Sequence, residues 1–465
     1  MGKFNLLLIL AIIPLISQGQ ESPVYTLGEG ITVAGLEVNL NTGPGNTFYG
    51  ERAGGESSTK ENTFIGNNSG ARNRGSAGVF VGSYTGPANS GDSNVFVGSQ
   101  SGYKNEGGKA NTFLGTGSGY GNEQGQENTF VGQGTGHSNG KGNFNTFLGR
   151  EAGYSNAASH NTFTGRASGR FNTSGQENTF IGSASGYKNT TANYNTYIGY
   201  GTGYQNQTGI HNVFVGRMAG YNNTSSRNTF LGFMSGYRNT SGDQNTMVGD
   251  VSGYYNTTGK YNTLVGRAAG YKSQTGNNNT IIGWYAGFNN DNGSGNVFLG
   301  KQAGYNETGS NKLYIDNSNT ATPLIYGNFS TNQLGVNTNN IPTGFALAVK
   351  GTAIVEEMKV ALEGTSGAWP DYVFDESYEL PTLQEVANYI DTHGHLKDIP
   401  SAEEVVENGI FLGEMDAKLL KKIEELTLYT IQLKTQLEVQ EQRNDKLEAR
   451  LLKLEESSTN TSKKN

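Results

Sequence analysis

The chain has 465 residues, with no cysteine, 69 glycines, 34% hydrophobic residues and a formal net charge of −7. The absence of cysteine excludes a disulfide framework, thiol catalysis and cysteine-ligated zinc. The low apolar content leaves no large conventional core, and the glycines fall on a strict lattice between aromatic and β-branched residues, which is a pattern of order rather than of disorder.

At the N-terminus, Lys3 precedes an apolar run from Leu6 to Ile16, followed by Ser17-Gln18-Gly19. A charged residue, a short apolar run and a small-x-small site predict a signal peptide over 1–19, cleaved after Gly19. The run is too short to span a membrane, and no other segment reads as a membrane-spanning anchor. The mature chain is therefore expected outside the cell, secreted or at the cell surface. Two β-like pieces, Pro23 to Thr26 and Ile31 to Leu40, predict an N-terminal cap over 20–45 that covers an open strand edge.

From Asn46 the chain repeats one short phrase. Sixteen copies start between residues 46 and 296, each 16 or 17 residues after the last. The clearest read Asn111-Thr-Phe-Leu-Gly115 with Ser118-Gly119-Tyr120, and Asn228-Thr-Phe-Leu-Gly232 with Ser235-Gly236-Tyr237. A unit this small cannot bury a core alone, so the fold class predicted for 46–311 is a β-solenoid of sixteen stacked rungs.

Counting the first residue of each copy as zero, positions +4 and +8 are glycine in all sixteen copies. Two turns per rung that need positive φ or a close backbone approach would explain this. Position +2 is Phe in most copies and otherwise Tyr197, Met247, Leu264 or Ile281, while +3 is Ile, Leu or Val in fourteen. Neighbouring strand residues face opposite sides, so both faces of the strand are apolar. One face suits the rung's own interior. The other, which pairs +3 with a Thr or Val at +1, calls for a partner, and sister chains are the natural candidates. Position +7 is only Ala, Ser or Thr, which fits a narrow interior. Position +9 is Tyr in ten copies, enough to line one flank with rings. Asn recurs at zero and near +11, and stacked asparagines can bond rung to rung.

Charge divides unevenly, +5 over 46–311 and −10 from 312 to the end. The positive charges of the repeat read as scattered, with no basic stripe, so no nucleic-acid partner is expected.

From Lys312 the pattern changes to a β neck over 312–368. It comprises an altered last rung at Lys312 to Asp316, short strands at Pro323 to Gly327 and Gln333 to Val336, and a further β-pair at Ala346 to Val349 and Ala353 to Leu362. A small acidic, α-rich module occupies 369–415. Thr382 with Glu385 forms a capping box for a helix reaching about Thr392, which Gly394 stops; Ser401 with Glu404 starts a second, which Gly409 ends. After Gly413 comes the longest helix, a coiled coil over 416–456. Its seam includes Ile423, Leu426, Leu433, Leu437, Leu447 and Leu451, with the polar Gln440 and Asn444 setting register. The polar tail, 457–465, is expected to be disordered.

Chemistry-bearing clusters are few. His393 and His395, near Asp391 and Asp398, could bind a metal, but residues at this spacing at a helix end more often cap it or face solvent. Lys397 and Ser401 could form a Ser–Lys dyad, but Ser401 fits better as a helix cap. No catalytic, cofactor-binding or metal-binding residue is assigned, and the chain is not expected to be an enzyme.

The rung Asn-Thr-Phe-x-Gly-x-x-Ala/Ser-Gly-Tyr resembles the β-roll head repeats of trimeric autotransporter adhesins. That resemblance implies one apolar residue pointing into the chain's own roll and one toward a trimer axis. The membrane β-barrel that ends that family has no counterpart in this sequence. The stretches Leu324 to Gly327, Trp369 to Phe374, His395 to Ala402 and Lys422 to Tyr429 resemble the C-terminal region of secreted bacterial tail-fibre-like proteins. Related fibres often end in an intramolecular chaperone of the endosialidase type. This resemblance implies a trimerisation or folding role, while the Ser-Asp-x-Arg-Leu-Lys signature of the self-cleaving form is absent. The expectation is an exported, homotrimeric structural and adhesive fibre that binds glycans, another cell or a matrix by avidity. Two alternatives stand beside it. One is an ice- or crystal-binding solenoid that uses the Thr column (Thr112, Thr129, Thr146, Thr162, Thr179, Thr196). The other is a self-processing or glycan-active tail-fibre protein.

Overall fold

The computed structural model describes residues 44–360 and 369–461. The signal peptide, nearly all of the N-terminal cap and the last four residues of the tail lie outside them. The chain forms two compact units that divide between Thr352 and Ala353.

The first unit is a β-solenoid. Its strands β1 (Thr47–Tyr49) to β16 (Val297–Leu299) each span three residues, one per sequence copy, and β17 (Lys312–Ile315) continues the stack. Each strand pairs in parallel with its sequence neighbours, and like residues align: Thr112 with Thr129, Phe113 with Phe130, Leu114 with Val131. At the usual ~4.8 Å between strands, the seventeen extend over about 77 Å.

The Thr-Phe-Leu type triplet is strand-forming because β-branched and aromatic side chains suit a pleated surface. Its middle residue points inward and is fully buried from Phe64 to Phe298. From Phe96 to Phe230 these residues are rings that stack on one another; Phe113 and Phe130, for example, have centroids 4.8 Å apart and planes within 6°. The first glycine ends the strand. Gly115 has φ 136°, and a Cβ there would meet the Gly132 carbonyl oxygen at 2.5 Å. The second returns the chain across the core: a Cβ on Gly119, at φ 57°, would meet the Phe113 ring at 2.4 Å. The small residue before it sits in the same interior, where Ser118 Oγ donates to the Phe130 carbonyl at 3.1 Å.

Most rungs also hold two non-glycine residues in the left-handed region, one just before the strand (Ala110, Glu127, Phe144) and one in the turn after it (Gln100, Glu151, Ala184), while Gly117, Gly134 and Gly201 fill the turn place and Gly45 and Gly295 the earlier one. Each non-glycine residue so placed costs about 1 kcal/mol. No residue type marks them in the sequence. Rung-to-rung bonding holds them, since backbone ladders run through the turns as well as the strands: Gly119 N–H donates to the Thr135 carbonyl at 2.8 Å and Gly121 N–H to that of His137 at 2.7 Å.

Two buried asparagine ladders run through most rungs, with Gly78 at position zero and Ser57, Ser273 and Glu307 at +11 as the exceptions. At position zero, Asn111 Oδ1 accepts the Asn128 backbone N–H at 2.9 Å, and Asn111 Nδ2 donates to the Gly125 carbonyl at 2.8 Å. At position +11, Asn122 Nδ2 donates to Asn105 Oδ1 at 2.6 Å and Asn139 Nδ2 to Asn122 Oδ1 at 2.7 Å. The second ladder breaks where the sequence departs from its own rule. Tyr197 replaces the core Phe, and its hydroxyl takes the Asn206 amide at 2.6 Å, which leaves Asn189 Oδ1 without a partner. Ser273 replaces an Asn and is too short to bridge, so Asn256 Oδ1 and its own Oγ are unpaired. Glu307 offers no amide, and Asn290 Oδ1 is unpaired in turn.

The stack ends by reversing direction. β17 pairs antiparallel with β18 (Ile325–Asn328), which pairs antiparallel with β19 (Gln333–Val336). β20 (Leu347–Val349) lies parallel on β19. The ring column ends with Tyr314 edge-on to Phe298, and Tyr326 edge-on to Tyr314. The alternation at Ala353 to Leu362 does not give a strand: residues 353–360 form no ladder, and β20 pairs with β19 alone among the described residues. Residues 361 and 362 lie outside the described residues.

The second unit is helical: a 3₁₀ turn (Pro370–Phe374), α1 (Leu383–His393), α2 (Ala402–Asn408) and α3 (Leu412–Thr461). Both capping boxes form. Glu385 N–H donates to Thr382 Oγ1 and Glu404 N–H to Ser401 Oγ, each at 3.2 Å, and each glutamate reaches back to its cap at 2.8 Å. Gly394 closes α1 in the left-handed region at φ 76°. Gly413 lies inside α3 rather than before it, and the helix runs past Ser457 into the segment expected to be disordered.

The unpaired amides give a stability prediction. Ser273→Asn restores a donor to Asn256 and an acceptor to Asn290, and should stabilise the protein by about 1–2 kcal/mol, whereas Asn122→Ala should destabilise it by about 1–3 kcal/mol. Thermal unfolding of the two variants beside the parent measures both. A lowered midpoint for Ser273→Asn would contradict this account of the ladder.

Candidate interaction surfaces

Three surfaces of the solenoid arise from the direction in which each rung position points. The first is the outer face of the strands, where positions +1 and +3 alternate with the buried ring. On this face Thr112, Thr129 and Thr146 are exposed and Thr162, Thr179 and Thr196 half-buried. Beside them runs a band of aliphatic side chains, with Leu114 47% and Leu148 48% exposed. A band that continues over so many rungs exceeds what monomeric proteins ordinarily leave open to water.

The second surface is the aromatic flank at +9. Tyr103, Tyr120, His137 and Tyr154 stack with centroids 4.6–5.0 Å apart, and Tyr187, Tyr204, Tyr221 and Tyr237 continue the column. Rings do line this flank, as the spacing suggests, but their faces are turned on one another. The column therefore offers solvent its edges and hydroxyls. Burial pushes the Tyr204 and Tyr221 hydroxyls up from their ordinary range, and the neighbouring phenols add to the effect. It also lowers His137, with Lys104 contributing.

The third surface was not legible as a surface. The repeat's cations read as scattered, yet the turn position +5, just past the first glycine, gathers several of them. Arg150, Arg166, Arg217, Arg267 and Lys301 all occupy it and are exposed. They are separated by one or more repeat steps of 16 or 17 residues, some copies being skipped, and the rung geometry sets them in one line.

In the second unit, the first turns of α3 pack against the module. Val373 is buried there, Tyr378 Oη donates to Glu425 Oε1 at 2.5 Å, and Tyr429 Oη donates to the Pro381 carbonyl at 2.5 Å. Lys421 Nζ donates to Asp398 Oδ2 at 3.0 Å, with Lys422 at 3.6 Å. A groove of about 990 Å³ lies between α1 and α3, lined by Leu383, Val386, Tyr389, Leu396, Ile423 and Leu426. Two of these, Ile423 and Leu426, are also seam residues. The remaining seam residues, Leu433, Leu437, Leu447 and Leu451, are each at least half exposed, and Gln440 Nε2 donates to Asn444 Oδ1 at 3.2 Å.

The other candidate clusters are engaged locally. The His393 ring stacks on Tyr389 at 4.1 Å, with Nδ1 3.1 Å from the Tyr389 carbonyl; His395 Nδ1 lies 3.0 Å from the Leu396 carbonyl. Among the described residues, no group of three or more His, Asp or Glu is placed to hold a metal ion. Ser401 Oγ accepts the Glu404 N–H and is engaged as a cap. No described helix is long and apolar enough to cross a membrane.

The hydrogen bond from Lys421, with help from Lys422 and Lys397, holds the Asp398 carboxyl below the usual carboxylate range. A depressed acid stabilises the fold above its ordinary pKa of about 3.9 and loses that contribution as pH falls below it. The pair is partly exposed, so the effect is roughly 0.5 kcal/mol. Asp398→Asn at pH 7 should therefore loosen the contact between the module and α3 as acidification does. Near-ultraviolet circular dichroism between pH 3 and 7 reads it, and a parent and variant that respond alike to acid would remove Asp398 as the cause.

No family model, no curated protein and no solved structure matches this chain.

Proposed function

We propose that this chain is an exported structural and adhesive fibre protein that acts as a parallel homotrimer. In this reading the sixteen sequence copies are sixteen rungs, residues 416–456 form a trimeric coiled coil, and the assembled surface binds glycans, cells or matrix by avidity. The observation that carries it is the pair of open apolar seams: the +1/+3 band on the solenoid and the heptad seam on α3. They differ in period and secondary structure, and both are answered by the same operation, a second and third copy in parallel register. The coil would also prevent identical rungs from pairing one step out of line, which the repeat alone cannot do.

Light scattering on the purified chain tests this reading. The expected mass is three times that of the monomer, and Leu433→Lys with Leu437→Lys should reduce it. A parent that is monomeric at micromolar concentration would overturn the proposal. In that case the outward Thr column, open on a single chain, favours an ice- or crystal-binding surface, which a thermal-hysteresis measurement on the same sample would read.

A further inference from the structure

We propose that the last ten copies of the solenoid repeat carry a binding track for a linear anionic polysaccharide, built on the position just past the first turn glycine of each rung. The inference rests on the adhesive reading above and gives its ligand a chemical class. Five cations, Arg150, Arg166, Arg217, Arg267 and Lys301, share the column with three aromatic residues, Tyr200, Phe233 and Trp284, and all eight are exposed. Ser183 and Asp250 fill the remaining places. Over the earlier rungs the same position holds Glu51, Asn67, Ser83, Ser99, Thr116 and Gln133, with neither a cation nor a ring. The track therefore begins part-way along a scaffold that is otherwise uniform.

Cations and rings are interleaved rather than segregated. The Arg217 guanidinium lies 5.8 Å from the Tyr200 ring and 5.6 Å from that of Phe233, and Lys301 Nζ lies 5.4 Å from Trp284. Two cations are partly neutralised, since Arg267 pairs with Asp250 at 3.1 Å and Arg150 with Glu151 at 3.2 Å. Arg166, Arg217 and Lys301 have no ion-pair partner among the described residues. A cation with a ring as neighbour suits a sugar that carries an acid group on one side and C–H bonds on its face. An open row, rather than an enclosed pocket, suits a polymer.

Charge density separates this ligand from nucleic acid. Ten rungs span about 43 Å, so five cations less Asp250 leave one net charge per ~11 Å. A nucleic acid strand carries one phosphate per about 3.4 Å and would remain largely unneutralised. The carboxylates of a polyuronate, one per sugar or one per disaccharide, are more widely spaced.

The full chain should be titrated with polygalacturonate and with hyaluronan oligosaccharides at low and high salt, and with dextran and poly-dT in parallel. Arg166→Gln/Arg217→Gln/Lys301→Gln should weaken binding of the anionic glycans about tenfold, as expected from three exposed charge contacts. It should also reduce the salt slope by about two. Phe233→Ser/Trp284→Ser should weaken glycan binding while leaving that slope unchanged. Lys60→Gln/Lys104→Gln/Lys109→Gln, which removes as much charge from the earlier rungs, should leave affinity near the parent's. Equal losses in the two charge variants would overturn the track, as would poly-dT binding more tightly than either glycan. Failure of the parent to bind either anionic glycan overturns it too; attachment of that same parent to cells or matrix would then preserve the adhesive reading, and light scattering on each variant separates a lost site from a lost assembly.

Discussion

The constraint on which the solenoid depends is the spacing of parallel strands. At that separation, buried amides can pass hydrogen bonds from rung to rung, and flat rings can lie one on another. The Phe113–Phe130 contact at 4.8 Å and the Asn122–Asn105 bond at 2.6 Å are two results of the same interval. With so few apolar residues to bury, the polar interior must be satisfied nearly everywhere, because an unpaired buried amide costs as much as a lost contact in an ordinary core. The three unpaired asparagine oxygens each trace to a departure from the repeat, at Tyr197, Ser273 or Glu307.

The same spacing shapes the surface. Any position that points outward becomes a column, so the character of a surface is set by one choice repeated along the chain. A column of tyrosines consumes its own ring faces. A column of Thr and Leu gives a continuous apolar band. A column that varies, as the position past the turn glycine does, changes chemistry along the solenoid without altering the fold beneath it.

Much of this was legible from spacing alone. Glycine at two fixed positions, Phe at a third and Asn at a fourth and fifth are residues that backbone geometry and ladder bonding each demand, and the structure places them accordingly. The caps at Thr382 and Ser401 were legible for the same reason, since one side chain and one glutamate three residues later suffice. Features that depend on a neighbour distant in sequence were not legible. The left-handed residues at Ala110 and Glu151 have ordinary side chains and are held by bonds to adjacent rungs. The alternation at Ala353 to Leu362 looks like a strand, yet residues 353–360 join no ladder although β20 pairs on one side alone, so alternation did not by itself produce pairing. The cation column was missed because the repeat's positive charges were taken together; reading position +5 copy by copy aligns Arg166 with Arg217. The open seams show what the chain leaves uncovered, while the identity of what covers them lies outside a single chain.

The reversal at β17 has a consequence for growth. A parallel, in-register stack of amides and rings shares its repeat with a cross-β fibril, and a final rung left in that state would serve as a template for the next molecule. Turning the chain back through β18 and β19, with Tyr314 and Tyr326 set edge-on, ends the columns that a newcomer would have to continue. At this end, therefore, the number of parallel rungs is set by the number of sequence copies that precede the reversal.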